Sequence, residues 1–236
     1  MDATLTVPAL RLLGRFQLSY GPQAVDVTAA GQRVLAFLGL RSRATRSVVA
    51  GTLWPEVTEE RAQGSLRTAL WRLGRGPGRL VDCRHDTLAL AADVHTDVRA
   101  LTSTALSLVD SSPAADESAA LGALCGGDLL PGWDEDWVAL ERERLRQLRL
   151  HALDSLAARL LAQGQHALAL EAALESVRIE PLRESAHRAV VSVHLAEHNV
   201  AEAVRHFEAF RRLLRKELGV QPSAGFAAMV QHRCHA

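Results

Sequence analysis

Two stretches thirty-four residues apart constrain this chain most: "LAQGQHALALEAA" from Leu161 and "LAEHNVAEAVRHF" from Leu195. Aligned, they superpose Leu161 on Leu195, Ala162 on Ala196, Ala167 on Ala201, Ala169 on Ala203 and Leu170 on Val204. A repeat of this length is one helix–turn–helix unit that cannot bury its apolar stripe alone and stacks on its neighbour. Recurring alanines let the paired helices approach closely. Gly164 falls opposite His198–Asn199, where Asn199 is expected to supply the left-handed conformation that glycine gives at a helix end. Residues 134–231 should therefore stack as an α-solenoid fragment, a surface of the kind that binds protein.

Composition agrees, because Ala and Leu dominate while aromatic residues make up only 4%, which suits packed helices better than a large sheet. The reading is mainly α with small β. No run approaches the eighteen or so apolar residues of a membrane span, and the N-terminus carries Asp2 where a signal peptide needs basic charge. A cytoplasmic protein with no membrane partner is expected. Cys83, Cys125 and Cys234 are isolated thiols without a CxxC pair, against a disulfide framework or zinc ribbon. His194 and His198 sit one turn apart, but no neighbouring carboxylate or cysteine completes a metal set, and the "HRCH" run at the C-terminus is equally weak. Nucleophile elbow, phosphate loop and HExxH are all missing. Neither enzyme activity nor a cofactor is expected.

The first ninety-three residues have a different pattern. "ALRLLGRFQLSYGPQAVDVT" alternates apolar and polar residues between Gly14 and Gly21–Pro22 and reads as two or three antiparallel strands. Three helices follow: "AAGQRVLAFLGL"; "SVVAGTLW", capped by Thr45 or Ser47 and ended by Pro55; and "TEERAQGSLRTALWRLGR", with Thr58 as N-cap. Gly74, Gly76, Pro77 and Gly78 stop the third. "RLVDCRHDTLALA" then reads strand, turn, strand with Arg84-His85-Asp86 at the tip. Strands, three helices and a hairpin in that order describe a winged helix whose third helix enters the major groove, with the wing at an adjacent groove. On a helical wheel, Ala62, Leu66, Ala69, Leu70 and Leu73 share one face, while Arg61, Gly64, Thr68, Trp71, Arg72 and Arg75 take the other, with Ser65 and Arg67 on the flanks.

Charge supports that assignment. The chain is neutral overall with 27 basic and 27 acidic side chains, yet residues 1–93 carry 12 Arg against 8 Asp or Glu and residues 94–236 carry 15 basic against 19 acidic. Eight of the arginines lie between Arg41 and Arg79, against three glutamates. A local excess of this kind is the electrostatic footprint of a polyanion partner. The division expected is therefore 1–93, a winged-helix DNA-binding domain, and 94–236, an all-α domain of tetratricopeptide period. Residues 110–121, small and polar around Pro113, read as linker-like, and "GGDLLPGWDEDW" leads into a long helix from about Asp136 to Gln163.

"LRLLGRFQLSYGPQAVDV", "LWP", "SLRTALWRLGR", "GDLLPGWDEDWVALERERLRQLRLHAL" and above all "ELGVQPS" at 217–223 resemble the Streptomyces antibiotic regulatory protein family in its small form, without ATPase or sensor additions. The resemblance runs through almost the whole chain. It implies an OmpR-like winged helix-turn-helix followed by a bacterial transcriptional activation domain, and a sequence-specific activator of a secondary-metabolite gene cluster. Partners implied are double-stranded promoter DNA carrying direct repeats, tandem protomers on that DNA, and RNA polymerase holoenzyme with its sigma factor. Arg43, Arg46 and Ser47 are expected at phosphates, Arg61, Ser65, Arg67, Thr68, Trp71, Arg72 and Arg75 along the reading helix, and Arg84 and His85 on the wing. The loop Pro55, Glu56, Val57, Thr58 and Glu59 is the expected polymerase contact. The competing class is a protein-binding adaptor with a degenerate winged helix.

Overall fold

The computed structural model describes residues 7–110 and 116–234, with side chains through Gln231. Asp2, residues 111–115 of the linker-like stretch and the side chains of the "HRCH" run lie outside the described residues. The chain divides into two compact units, one of residues 1–102 with 126–144, the other of residues 103–125 with 145–236.

The first unit opens with β1 (Pro8–Arg11), β2 (Gln17–Tyr20) and β3 (Gln23–Val25), an antiparallel meander in which Leu10 faces Leu18. Helix α1 (Ala29–Leu40) follows, its first turn capped by Thr28, whose hydroxyl accepts from the Gly31 N–H. Gly39 has a packing reason: a Cβ there would lie 3.0 Å from the Leu12 side chain and 3.3 Å from that of Leu10, so a bare backbone lets α1 sit close on β1. Then come β4 (Ala44–Thr45), α2 (Arg46–Leu53), α3 (Glu59–Leu73), β5 (Val81–Arg84), β6 (Thr87–Leu90) and β7 (His95–Thr96). Of the two possible caps for α2, Thr45 is used, accepting from Val48 N–H. Thr58 occupies the N-cap position of α3 without a side-chain cap bond.

The β topology goes beyond the sequence reading at two places. The wing is three-stranded, ordered β4-β6-β5, because Ala44 and Thr45 pair with Leu88 and Thr87. β7 joins the N-terminal sheet parallel to β1, giving the order β3-β2-β1-β7. Just after β7, Asp97 accepts hydrogen bonds from the N–H groups of Leu12 and Leu13 at 2.9–3.0 Å. Leu13 also bridges to Leu129, and the Gly14 N–H donates to the Asp128 carbonyl at 2.8 Å. Trp133 and Trp137 continue that packing: Trp133 stacks on Phe16 at 6.2 Å, Trp137 meets Phe37 edge-on at 5.5 Å, and Arg33 pairs with Glu135 at 2.8 Å. The compact division therefore does not fall at residue 93, because strand pairing and aromatic burial draw in residues well beyond it.

The second unit is helical, built from the later part of α4 (Asp97–Val109), α5 (Glu117–Leu124), the continuation of α6 (Asp136–Ala162), α7 (His166–Ile179), α8 (Glu184–Ala196), α9 (Val200–Leu218) and α10 (Ala224–Cys234). α5 begins within the stretch read as linker-like. Asp116 caps it, accepting from the N–H groups of Ser118 and Ala119. The repeat is a pair of helix hairpins, α6–α7 and α8–α9; of its aligned alanines only Ala169 and Ala203 are fully buried, whereas Ala162, Ala196, Ala167 and Ala201 are exposed, so the close approach expected of them is made at one position per repeat. The left-handed residue facing Gly164 (φ +74°) is His198 (φ +62°), not Asn199, whose φ is −83°. The thirty-four-residue offset is kept to the residue, and histidine tolerates this region better than most side chains.

Three polar clusters among the described residues tie helices of this unit together. Arg149, 3% exposed, donates through Nε to the Leu124 carbonyl at 2.8 Å and pairs with Glu175 at 3.2 Å. Asp154 accepts from Ser176, Arg183 and Ser185, linking α6, α7 and the start of α8. Between α8 and α9, His187 sits 2.9 Å from both the Pro181 carbonyl and His206 Nε2, and stacks on Phe210 at 4.0 Å. The carbonyl can only accept, so His187 Nε2 donates to it; in the neutral pair, His187 Nδ1 then accepts from His206. Burial lowers the pKa of His187, and burial together with the neighbouring histidines holds His206 at about 4.

Candidate nucleic-acid interface

Helix α3 divides as its periodicity requires. Ala62, Leu66, Ala69 and Leu73 are buried; Leu70 is half-buried, less covered than its place in the apolar stripe suggested. Arg61, Arg67, Thr68, Trp71, Arg72 and Arg75 are exposed, and Ser65 is half-buried on the flank. The Thr68 hydroxyl donates to the Gly64 carbonyl at 3.0 Å, which leaves its oxygen lone pairs available. Trp71 is 58% exposed, and the Arg75 guanidinium lies over its ring at 4.1 Å, a cation–π contact that holds both side chains in place. Arg72 stands beside a cleft lined by Leu18, Val25, Leu73 and Pro77, off the line of Thr68, Trp71 and Arg75.

The wing and α2 come together through the backbone. β4 pairs with β6, and the Arg46 N–H donates to the Asp86 carbonyl at the wing turn at 2.9 Å, where His85 adopts φ +53°. Exposed Arg43, Ser47, Arg84 and His85 and half-buried Arg46 thus belong to one locally tied strand–turn–helix edge, although forty residues of sequence separate its parts. Arg46 and Arg67 also line one cleft with Thr58, Glu59, Glu60 and Gln63. Pro55, Glu56, Val57, Thr58 and Glu59, expected from the sequence at polymerase, are all exposed, Val57 at 42%.

Ion pairing is uneven among the described residues: Arg99, Arg188, Arg212 and Arg215 lack it outside this edge, and Arg79 next to it pairs with Asp82. Among the described residues, Arg43, Arg46, Arg61, Arg67, Arg72 and Arg84 make no ion pair, whereas Arg144, Arg146, Arg149, Arg178, Arg183, Arg205 and Arg211 each meet a carboxylate. Cys83 and Cys125 are exposed free thiols. No group of three potential metal ligands occurs among the described residues, and no helix there is long and apolar enough to cross a membrane.

The sequence reading missed Asp97 and the Trp133–Trp137 pair as supports of this unit. The bond from Asp97 to Leu12 and Leu13 spans more than eighty residues, and no local spacing signals it.

Comparison with known proteins matches this architecture. The solved Mycobacterium tuberculosis EmbR, in complex with a low affinity phosphopeptide, superposes with a TM-score of 0.73 at 17% identity, over 97% of this chain and 65% of that one. The Streptomyces coelicolor regulatory protein AfsR is 29% identical over 226 aligned residues, covering 86% of this chain, which spans about a fifth (22%) of AfsR. The family description "Bacterial transcriptional activator domain" matches residues 83–232, more than half of the chain. The resemblance to the Streptomyces antibiotic regulatory proteins holds, and the chain belongs to the bacterial transcriptional activator domain family.

Proposed function

We propose that this protein is a sequence-specific DNA-binding transcriptional activator of a secondary-metabolite gene cluster, in which two protomers bind direct repeats in tandem and recruit RNA polymerase. The observation that carries the reading is the set of arginines without ion pairs on α2, α3 and the wing, brought together where Arg46 and Arg67 line one cleft and Arg84 stands on the strand that pairs beside them. A local excess of positive charge draws in a polyanion, and phosphate contacts provide the affinity of DNA binding. Arg43, Arg46 and Ser47 serve the backbone, Arg61, Ser65, Arg67, Thr68, Trp71, Arg72 and Arg75 serve the major groove, and Arg84 and His85 of the wing anchor in an adjacent groove. The residues 55–59, exposed between α2 and α3, offer Glu56, Glu59 and Val57 to polymerase. Residues 1–93 carry the DNA contact, and residues 94–236 are the activation domain.

One recognition helix reads too few base pairs to select a promoter, so two protomers are required. Head-to-tail binding sets the half-sites about 10–11 base pairs apart, on one face of the duplex. Footprinting on the native spacing and on spacings enlarged by five and ten base pairs tests this: five abolishes joint protection and ten partly restores it. Equal protection on all three overturns the tandem arrangement.

A further inference from the structure

Three features lie on one line of α3 and are not explained by packing within the chain. Gly64, Thr68, Trp71 and Arg75 follow one another at spacings of four, three and four, the row opposite the buried stripe. Gly64 stands inside the helix, where glycine costs stability relative to alanine, yet a Cβ there would meet nothing within 4 Å. Its bareness answers no neighbour in this chain. Two turns along, a large indole is 58% exposed on a polar face, braced by the Arg75 guanidinium at 4.1 Å. A braced aromatic gives up little conformational freedom when something packs on it.

We propose that Trp71, held by Arg75, reads the 5-methyl group of a thymine in the major groove, and that Gly64 clears the path of the duplex along the same line. This rests on the DNA-binding reading above. The thymine methyl is the apolar feature that the major groove displays, so an exposed indole there has one base-specific apolar target. Arg75, committed to the ring, is then a positioning residue for Trp71, which distinguishes it from Arg67 and Arg72.

The test begins with selection of preferred duplexes from a random library by the full chain, followed by fluorescence anisotropy on the selected duplex with each thymine replaced in turn by uracil, which removes only the methyl. One replacement weakens wild-type binding about fourfold, the worth of one buried methyl, and has no effect on Trp71→Ala. Trp71→Phe keeps part of the discrimination, and Arg75→Gln reduces it. Gly64→Ala raises the thermal midpoint by a few degrees and weakens binding at least fivefold. Gly122→Ala, an equally open helical glycine in the other unit, raises the midpoint without changing binding. Indifference of the wild type to every uracil, or unchanged discrimination in Trp71→Ala, overturns the role of Trp71. A Gly64→Ala chain that binds as tightly as wild type overturns the clearance. Selection that enriches no duplex overturns the DNA-binding reading beneath them both.

Discussion

Asp97→Ala is expected to destabilise the first unit out of proportion to its size. The carboxylate accepts from Leu12 N–H at 3.0 Å, from Leu13 N–H at 2.9 Å and from Val98 N–H at 2.8 Å. Burial pushes its pKa up while the three N–H groups pull it down, so the group is held by geometry in a place where a free carboxylate would be costly. Truncation removes the acceptor of all three N–H groups at once. The Val98 N–H lies in the first turn of α4, where an unpaired donor is ordinary, but Leu12 is fully buried and Leu13 is 5% exposed. An unsatisfied buried donor costs about 1–3 kcal/mol, so two of them give about 2–6 kcal/mol, and a water entering the vacated space brings this toward the lower end. Asp97→Asn, keeping one acceptor oxygen, should lose about half as much. Urea unfolding followed by tryptophan fluorescence measures it, because Trp133 and Trp137 report on the same unit. An Asp97→Ala chain within 0.5 kcal/mol of wild type, roughly the scatter of ordinary surface substitutions, would refute the account of this clamp.

His206 makes the second unit acid-sensitive. Its folded pKa of about 4 lies below the ordinary 6.5, so the unfolded chain takes up the proton first; this contribution is intact above about pH 6.5 and is lost as pH falls toward 4. The shift caps the loss at about 3 kcal/mol, and partial exposure of the ring brings it to about 2 kcal/mol; chemical denaturation of wild type and His206→Asn between pH 4 and 7 should show a shallower slope in the variant, which keeps only the contribution of His187 from this pair. Arg149→Ala should cost about 2–3 kcal/mol, since it leaves the buried Leu124 carbonyl without its donor while Glu175 keeps its pair with Arg178, and a loss below 1 kcal/mol in the same denaturation assay would contradict the role of Arg149. Arg43→Ala with Arg46→Ala should leave the thermal midpoint nearly unchanged while reducing the salt slope of DNA binding by about 2, one per phosphate contact.

Periodicity made α3 legible: Leu66 and Leu73 at helical spacing fixed which side is buried, and thus that Arg67, Thr68, Trp71 and Arg75 are exposed. The thirty-four-residue repeat likewise set the α6–α7 and α8–α9 hairpins, although of its recurring alanines only Ala169 and Ala203 mark close contacts. Short strands were harder. Ala44–Thr45 and His95–Thr96 are two residues each, too short for alternation to register, and exist because a partner strand is already in place. Asn199 was expected in the left-handed position on residue type, yet the conformation follows the repeat and falls on His198. The Asp97 clamp and the Trp133–Phe16 stack depend on contacts between distant segments, which no window of sequence contains.

Sequence-specific contact between the unpaired arginines and a DNA duplex is the central claim. Fluorescence anisotropy of the full chain on its selected duplex and on a scrambled duplex, titrated across salt concentration, tests it most directly. About five phosphate contacts per protomer give a slope of log K against log salt near −4 to −5, with the scrambled duplex bound at least a thousandfold more weakly at physiological salt. A flat salt dependence with equal affinity for both duplexes would contradict the claim and leave a protein-binding adaptor.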